Sequence, residues 1–239
     1  MKYTVHRALS MLKTTKARIE KELSNNYSFI RVARGQEDNI RGVAVADIER
    51  YIQGSYDRIT SLISNYIKIK SAVIRSNAGI QSEAADIKRA SVAGLSLTVA
   101  EIIEMNDAVY GKGKTSGGSK PNGFKASLLA KMKQDYAEAQ SEFDALQEKA
   151  DDEVRQYLNA LSVKRKDGEE IDSNSKVTIE ATSKMLHEQK DPRFIDPLKI
   201  ADKIMALENE IENFRTEADA VLSEQNALTT IEIDLVEIK

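Results

Sequence analysis

Apolar residues recur along most of this chain at intervals of three and four, the period of one face of an α-helix. Val5, Leu9, Leu12, Ile19 and Leu23 form the first stripe, with Thr4 as its cap and Lys16 as its one interruption; it closes at Ser24-Asn25-Asn26. A second stripe predicts a helix over about 44–76, through Val45, Ile48, Ile52, Ser55, Ile59, Leu62, Tyr66, Ile69 and Val73. Its strict alternation of three and four is the 3.5-residue repeat of a left-handed helix–helix seam. A third, over about 125–162, runs through Leu129, Met132, Tyr136, Ala139, Phe143, Leu146 and Ala150, then Val154, Tyr157 and Leu161. At 1.5 Å per residue such a helix is roughly 55–60 Å long, which predicts a rod-like body. A fourth carries Ile200, Ile204, Leu207, Ile211, Phe214, Ala218 and Val221, with Asp196 as its cap and Pro197 in its first turn. A short helix is marked by Thr98 and Glu101, spaced as a capping box, and closes at Tyr110-Gly111. Val177 to His187 reads as a short helix or an irregular arm.

The period changes to two at Thr230-Ile231-Glu232-Ile233-Asp234-Leu235, the alternation of a strand. A lone strand needs partners, and Tyr27–Arg34 and Ala90–Leu95 are the segments able to supply them. The fold expected is therefore mainly α: an elongated antiparallel helical bundle or coiled coil, with a small β-sheet that includes the C-terminal strand. Gly35 and Gly42 bracket a polar turn, Asn77-Ala78-Gly79 ends the second helix, and Lys166-Asp167-Gly168 is a tight turn. The Gly/Lys-rich stretch 111–123 is the clearest break. It sets off an N-terminal helical part with short strands (1–110) from a long helical hairpin and C-terminal strand (124–239), both within one elongated domain.

Composition narrows the chemistry. With no Cys among 239 residues, disulfides, thiol catalysis and thiolate metal sites are excluded. No run approaches the roughly 18–20 apolar residues of a membrane span. Arg7 and Lys13 interrupt any signal-like core near Met1, so a cytoplasmic protein without membrane attachment is expected. The net charge of −3 conceals an asymmetry: residues 1–90 hold 16 Lys/Arg against 9 Asp/Glu, leaving 19 against 29 for residues 91–239. Halves charged +7 and −10 either attract each other, within one chain or between subunits, or reflect ordinary variation on solvated helix faces.

Candidate catalytic residues are few. His6 and His187 each lack a second His or Cys at metal-ligand spacing, so no metal site and no cofactor is expected. Glu208, Glu210, Glu212, Glu217 and Asp219 crowd the fourth helix and Asp151, Asp152 and Glu153 the third, without the Glu-x-x-His pairs of helical di-metal sites. Gly111-Lys112-Gly113-Lys114-Thr115 imitates a phosphate loop, but Ala108 stands where its first glycine belongs and a helix precedes it. The one distinctive cluster is Lys112, Lys114, Lys120 and Lys125, continued by Lys131 and Lys133, with no acidic residue between Asp107 and Asp135. Lys112, Lys114, Lys120 and Lys125 are the candidate anion-binding residues. A solubilising loop is the competing and favoured reading, because the segment lacks Arg and has only Phe124 for stacking.

Four short motifs carry a family resemblance. They are Thr4-Val5-x-x-Ala8-Leu9, Ile74-Arg75-Ser76-Asn77, Gly94-Leu95-Ser96-Leu97-Thr98-Val99-Ala100-Glu101, and the last helix running through Asn226 into Thr229-Thr230-Ile231. In these the chain resembles the septicolysin-like helical proteins of bacteria and their phages. The resemblance covers the ends and middle of the chain, not the lysine-rich loop or the third helix. It implies a helical architecture and a phage or prophage origin, hence a host-cytoplasmic location, and it brings no catalytic residues.

The function expected is non-enzymatic: an interaction or assembly protein that self-associates through its long helices as a homo-oligomer, with a host or virion protein as a further partner. The alternative is a binding module or inhibitor that captures a host protein or a phosphorylated small molecule through the basic loop. Nucleic acid and nucleotides are the less favoured ligands of that loop.

Overall fold

The computed structural model describes residues 2–78, 89–111, 123–163 and 173–228. The chain is mainly α, with small antiparallel sheets of short strands, as the periodicity predicts. Among the described residues the helices are α1 (Val5–Ser24), α2 (Val45–Asn77), α3 (Val99–Ala108), α4 (Phe124–Val163), α5 (Ser173–Lys190) and α6 (Ile200–Leu228). The strands are β1 (Arg31–Arg34), β2 (Asn39–Ile40), β3 (Val43–Ala44), β4 (Ala90–Val92), β5 (Leu95–Leu97) and β6 (Pro192–Ile195). No helix among the described residues is long and apolar enough to cross a membrane.

The chain divides into two compact units, and the divisions fall between α1 and β1 and inside α2, α4 and α6. The first comprises Met1–Asn25, Ile59–Ala130 and Met205–Lys239; the second comprises Asn26–Arg58 and Lys131–Ile204. In the first unit Ile19, Ile59, Ile102, Met105, Tyr110 and Phe214 are buried. Tyr110 and Phe214 stack with ring centroids 3.7 Å apart. In the second, Phe29, Ile30, Ile52, Met132, Ile195 and Ile200 are buried, and Phe143 stacks on Phe194 at 4.6 Å.

Caps set several helix ends. Thr4 Oγ1 accepts from the Arg7 N–H at the start of α1. Thr98 and Glu101 form a complete capping box on α3, each side chain meeting the other's backbone N–H. α6 starts at Ile200, later than Pro197 would suggest, because Lys199 is left-handed (φ 52°) and interrupts the helical path. Asp196 still caps it: both carboxylate oxygens accept from Ile200 N–H, at 3.0 and 2.9 Å. α5 is a full helix through Lys190, where the sequence leaves helix and arm as alternatives.

The strands depart from the expected single sheet. Among the described residues they form three separate two-stranded antiparallel pairs: β1 with β6, β2 with β3, and β4 with β5. β1 lies inside the predicted 27–34 segment, but its partner is Pro192–Ile195, with Arg34 opposite Pro192. The sequence reads Asp191-Pro192 as a break, yet a proline is tolerated as the first residue of an edge strand, where no ladder N–H is required. The 90–95 segment turns back on itself at Ala93-Gly94 and is satisfied as a local hairpin. The predicted strand at 230–235 lies outside the described residues. Gly35, left-handed at φ 49°, closes β1 against the end of α5, donating its N–H to the Asp191 carbonyl at 2.7 Å. A Cβ there would stand 1.7 Å from the Gln189 carbonyl oxygen, so only glycine fits.

The buried face of α4 is also rotated from its predicted seam. Leu128, Met132, Asp135, Ala139, Ala150 and Val154 are buried, whereas Tyr136 and Tyr157 are exposed. With Phe143 and Leu146 half-buried between them, the intervals are four, three, four, four, three, four and four. That period exceeds 3.5 residues, so the contact face drifts around the helix and brings Asp135 inward.

Candidate functional site

Lys112, Lys114 and Lys120 lie outside the described residues; Lys125 lies in the first turn of α4. Residues 109–111 and 123–125 approach one another. Lys125 N–H donates to the Val109 carbonyl at 2.8 Å. A Cβ on Gly123 (φ 90°) would stand 2.5 Å from Gly111 N. The Lys125 ammonium is engaged in the first unit: it donates to Tyr110 Oη at 3.2 Å and pairs with Glu210 of α6. It also lies 4.6 Å from the centre of the Tyr110 ring. Burial pushes the Tyr110 phenol above its ordinary range, opposed by Lys125. Arg215 donates to the Tyr110 carbonyl at 2.8 Å. The cluster thus locks the α3–α4 junction to α6 within this unit, and an anion at Lys125 would have to displace Glu210.

His6 is exposed in the first turn of α1. His187 is drawn into a cluster that spacing alone does not reveal. Its Nδ1 is 2.9 Å from Asp191 Oδ1 and 4.0 Å from Asp151 Oδ1, and the three ligand-type atoms all lie within 4.8 Å of one another. Gln147 Nε2 donates to both carboxylates, at 2.9 and 3.3 Å. The sequence signal is half present: His187-x-x-x-Asp191 places two donors on one turn of α5, but Asp151 comes from α4. All three are partly exposed. The hydrogen bonds among them account for their convergence as a clasp between α4 and α5.

An open apolar groove of the first unit lies between α1 and the C-terminal half of α2, with a volume of about 300 Å³. Tyr3, Val5, Ala8 and Met11 form one wall, and Ile69, Ala72 and Val73 the other. Val5 and Leu9, one turn apart on α1, are 39% and 48% exposed, and Tyr3, just before the Thr4 cap, is 44% exposed. Val5 and Leu9 are residues of the first predicted stripe; Tyr3 is not. The pattern identifies Val5 and Leu9 as part of an apolar face, but not that this face meets solvent. Around them α1 is basic, with Arg7, Lys13, Lys16, Arg18 and Lys21 against Glu20 and Glu22. α6 is acidic, with Asp202, Glu208, Glu210, Glu212, Glu217, Asp219 and Glu224 against Lys203 and Arg215.

No family model matches the chain, and neither a curated protein nor a solved structure is detectably similar to it.

Proposed function

We propose that this protein acts by association rather than catalysis, as a helical interaction protein that pairs with a second copy of itself through the α1–α2 groove. The observation that carries the reading is the exposure of Val5 and Leu9 on α1 and of Tyr3 just before it. The occupant is argued from charge. α1 holds five basic against two acidic residues, and α6 two basic against seven acidic. A second copy can therefore present the acidic outer face of its α6 to the basic, apolar face of α1, burying apolar surface inside a ring of complementary charge.

Light scattering on the full chain at micromolar concentration tests it. Twice the monomer mass is expected, falling to monomer when Val5 and Leu9 are both replaced by Glu, with the helical circular dichroism signal retained. Added salt should weaken the dimer, because its steering charges are exposed. A strict monomer at 100 μM and low salt, or a dimer indifferent to the double substitution, would refute the proposal.

A further inference from the structure

The second unit contains a pocket that this association does not use. The β2–β3 hairpin arches beside the first turns of α2, and the space beneath it measures about 460 Å³, within the range that holds small organic ligands. Its floor is Tyr27, Val32 and Ile52, all buried. Its walls are Ile40, Val43, Ile48 and Tyr51. Tyr27 and Tyr51 meet edge to face at 6.0 Å, giving the interior an aromatic corner. Val43 and Tyr51 are 48% and 55% exposed, so the walls are apolar and open to solvent.

The charged residues that line the pocket are Arg31 and Arg41 against Asp47 and Glu142. Arg31 and Arg41 both line the pocket, and among the described residues neither guanidinium makes an ion pair or a hydrogen bond. Of the two acids at the mouth, Asp47 is already taken by Arg50 at 2.8 Å, and Glu142 is the other. Arg41 occupies a left-handed turn position, as Ala93 does in the β4–β5 hairpin. Arg41 and Gly42 are the two central residues of the β2–β3 hairpin turn, with φ of 49° and 83°. Such turns favour Asn or Gly at the first position, because a left-handed backbone is strained for other side chains. An arginine held there over an apolar cavity is a local cost to which the hairpin itself offers no return.

We infer that this pocket binds an amphipathic organic anion, with an aliphatic or aromatic body seated between Tyr27, Ile48 and Tyr51 and an acidic group held by Arg31 and Arg41. Guanidinium groups pair with carboxylate or phosphate oxygens through two parallel hydrogen bonds, so either acid suits the mouth. The apolar interior selects for the tail, and the paired charges select against a neutral head.

Isothermal titration of the full chain with decanoate and with 1-decanol separates these contributions. Decanoate should bind at least tenfold more tightly than decanol. Replacing Arg31 and Arg41 together by Gln should lower decanoate affinity to the decanol level without altering decanol binding. Ile48→Trp, which fills the cavity, should abolish binding of both, and Glu142→Gln should tighten decanoate binding several-fold by removing a like charge. Decyl phosphate in place of decanoate shows which acid is preferred; either order is compatible with the site. Equal affinity for decanoate and decanol, retention of decanoate binding in the arginine double variant or in Ile48→Trp, or no heat from either acid at 1 mM would overturn the inference. Sedimentation with phosphatidylglycerol vesicles, without binding of the free anions, would overturn it too by pointing to a membrane surface. Retained helical circular dichroism in each variant keeps a folding failure from passing as lost binding.

Discussion

Among the described residues each compact unit buries one carboxylate, and the two are handled in opposite ways. Glu101, in the first unit, is fully buried, yet every side of its carboxylate is answered. Thr98 donates its N–H and its hydroxyl, both at 2.9 Å, and Arg75 donates Nε at 2.8 Å. Burial pushes its pKa upward, but the Thr98 backbone and hydroxyl, Arg75 and Ser71 together bring it below the ordinary glutamate value. Asp135, in the second unit, is 6% exposed and accepts from Phe29 N–H at 3.0 Å, with Lys131 at 3.6 Å. Here burial prevails over those two partners, and the pKa rises. Depth alone therefore does not decide the charge state; the number of donors built around the group does. Glu101 is stable as an anion because α3's cap and α2's Arg75 converge on it. Asp135 faces inward because the contact face of α4 drifts.

The largest test of this contrast is Arg75→Ala. Removing one partner of a buried ion pair strands the other charge, so a loss of about 3–5 kcal/mol is expected in urea denaturation. Thr98→Ala should cost about 1–2 kcal/mol, since it deletes a helix cap as well as one of the donors to Glu101. Lys131→Met, the equivalent removal beside Asp135, should cost about 1 kcal/mol or less, because a partner at 3.6 Å contributes weakly and Asp135 can remain protonated more readily. If Lys131→Met proves as damaging as Arg75→Ala, the two carboxylates are not handled differently.

The legibility of these sites in the sequence follows from how local their determinants are. Thr98 and Glu101 are three residues apart and read directly as a capping box. Arg75, 26 residues before Glu101, cannot be paired with it from spacing. The long helices are legible because periodicity is a property of one segment, and α2 ends within a residue or so of its predicted limits. The pairing of β1 with β6 is not, because it joins residues more than 150 positions apart and uses a proline that locally signals a break. The Asp151–His187–Asp191 cluster fails for the same reason. The pocket under the β2–β3 hairpin shows only as the Gly35–Gly42 turn, since its walls come from the hairpin and from α2 while its floor comes from the 27–32 segment.

The smallest expected effect is the most discriminating. Asp135→Asn keeps an oxygen able to accept from Phe29 N–H and removes the charge that burial disfavours. Because the folded pKa of Asp135 lies above its ordinary value of 3.8, the unfolded chain releases its proton first as pH rises. Asp135 therefore favours folding at acid pH, and that contribution is lost as pH climbs from 3.8 through the raised value. Glu101 runs the other way: its contribution is present above 4.5 and disappears as pH falls through the lowered folded value. Asp135→Asn should accordingly be more stable than the parent by about 0.5–1 kcal/mol at pH 7 and indistinguishable from it near pH 3. Glu101→Gln should show the reverse trend, markedly less stable at pH 7 and closer to the parent in acid. Thermal denaturation of both variants across pH 3–8 reads the two slopes. A destabilised Asp135→Asn at neutral pH would mean that the ionised carboxylate is an asset to the second unit, and that Lys131 and Phe29 together do for Asp135 what Arg75 and Thr98 do for Glu101.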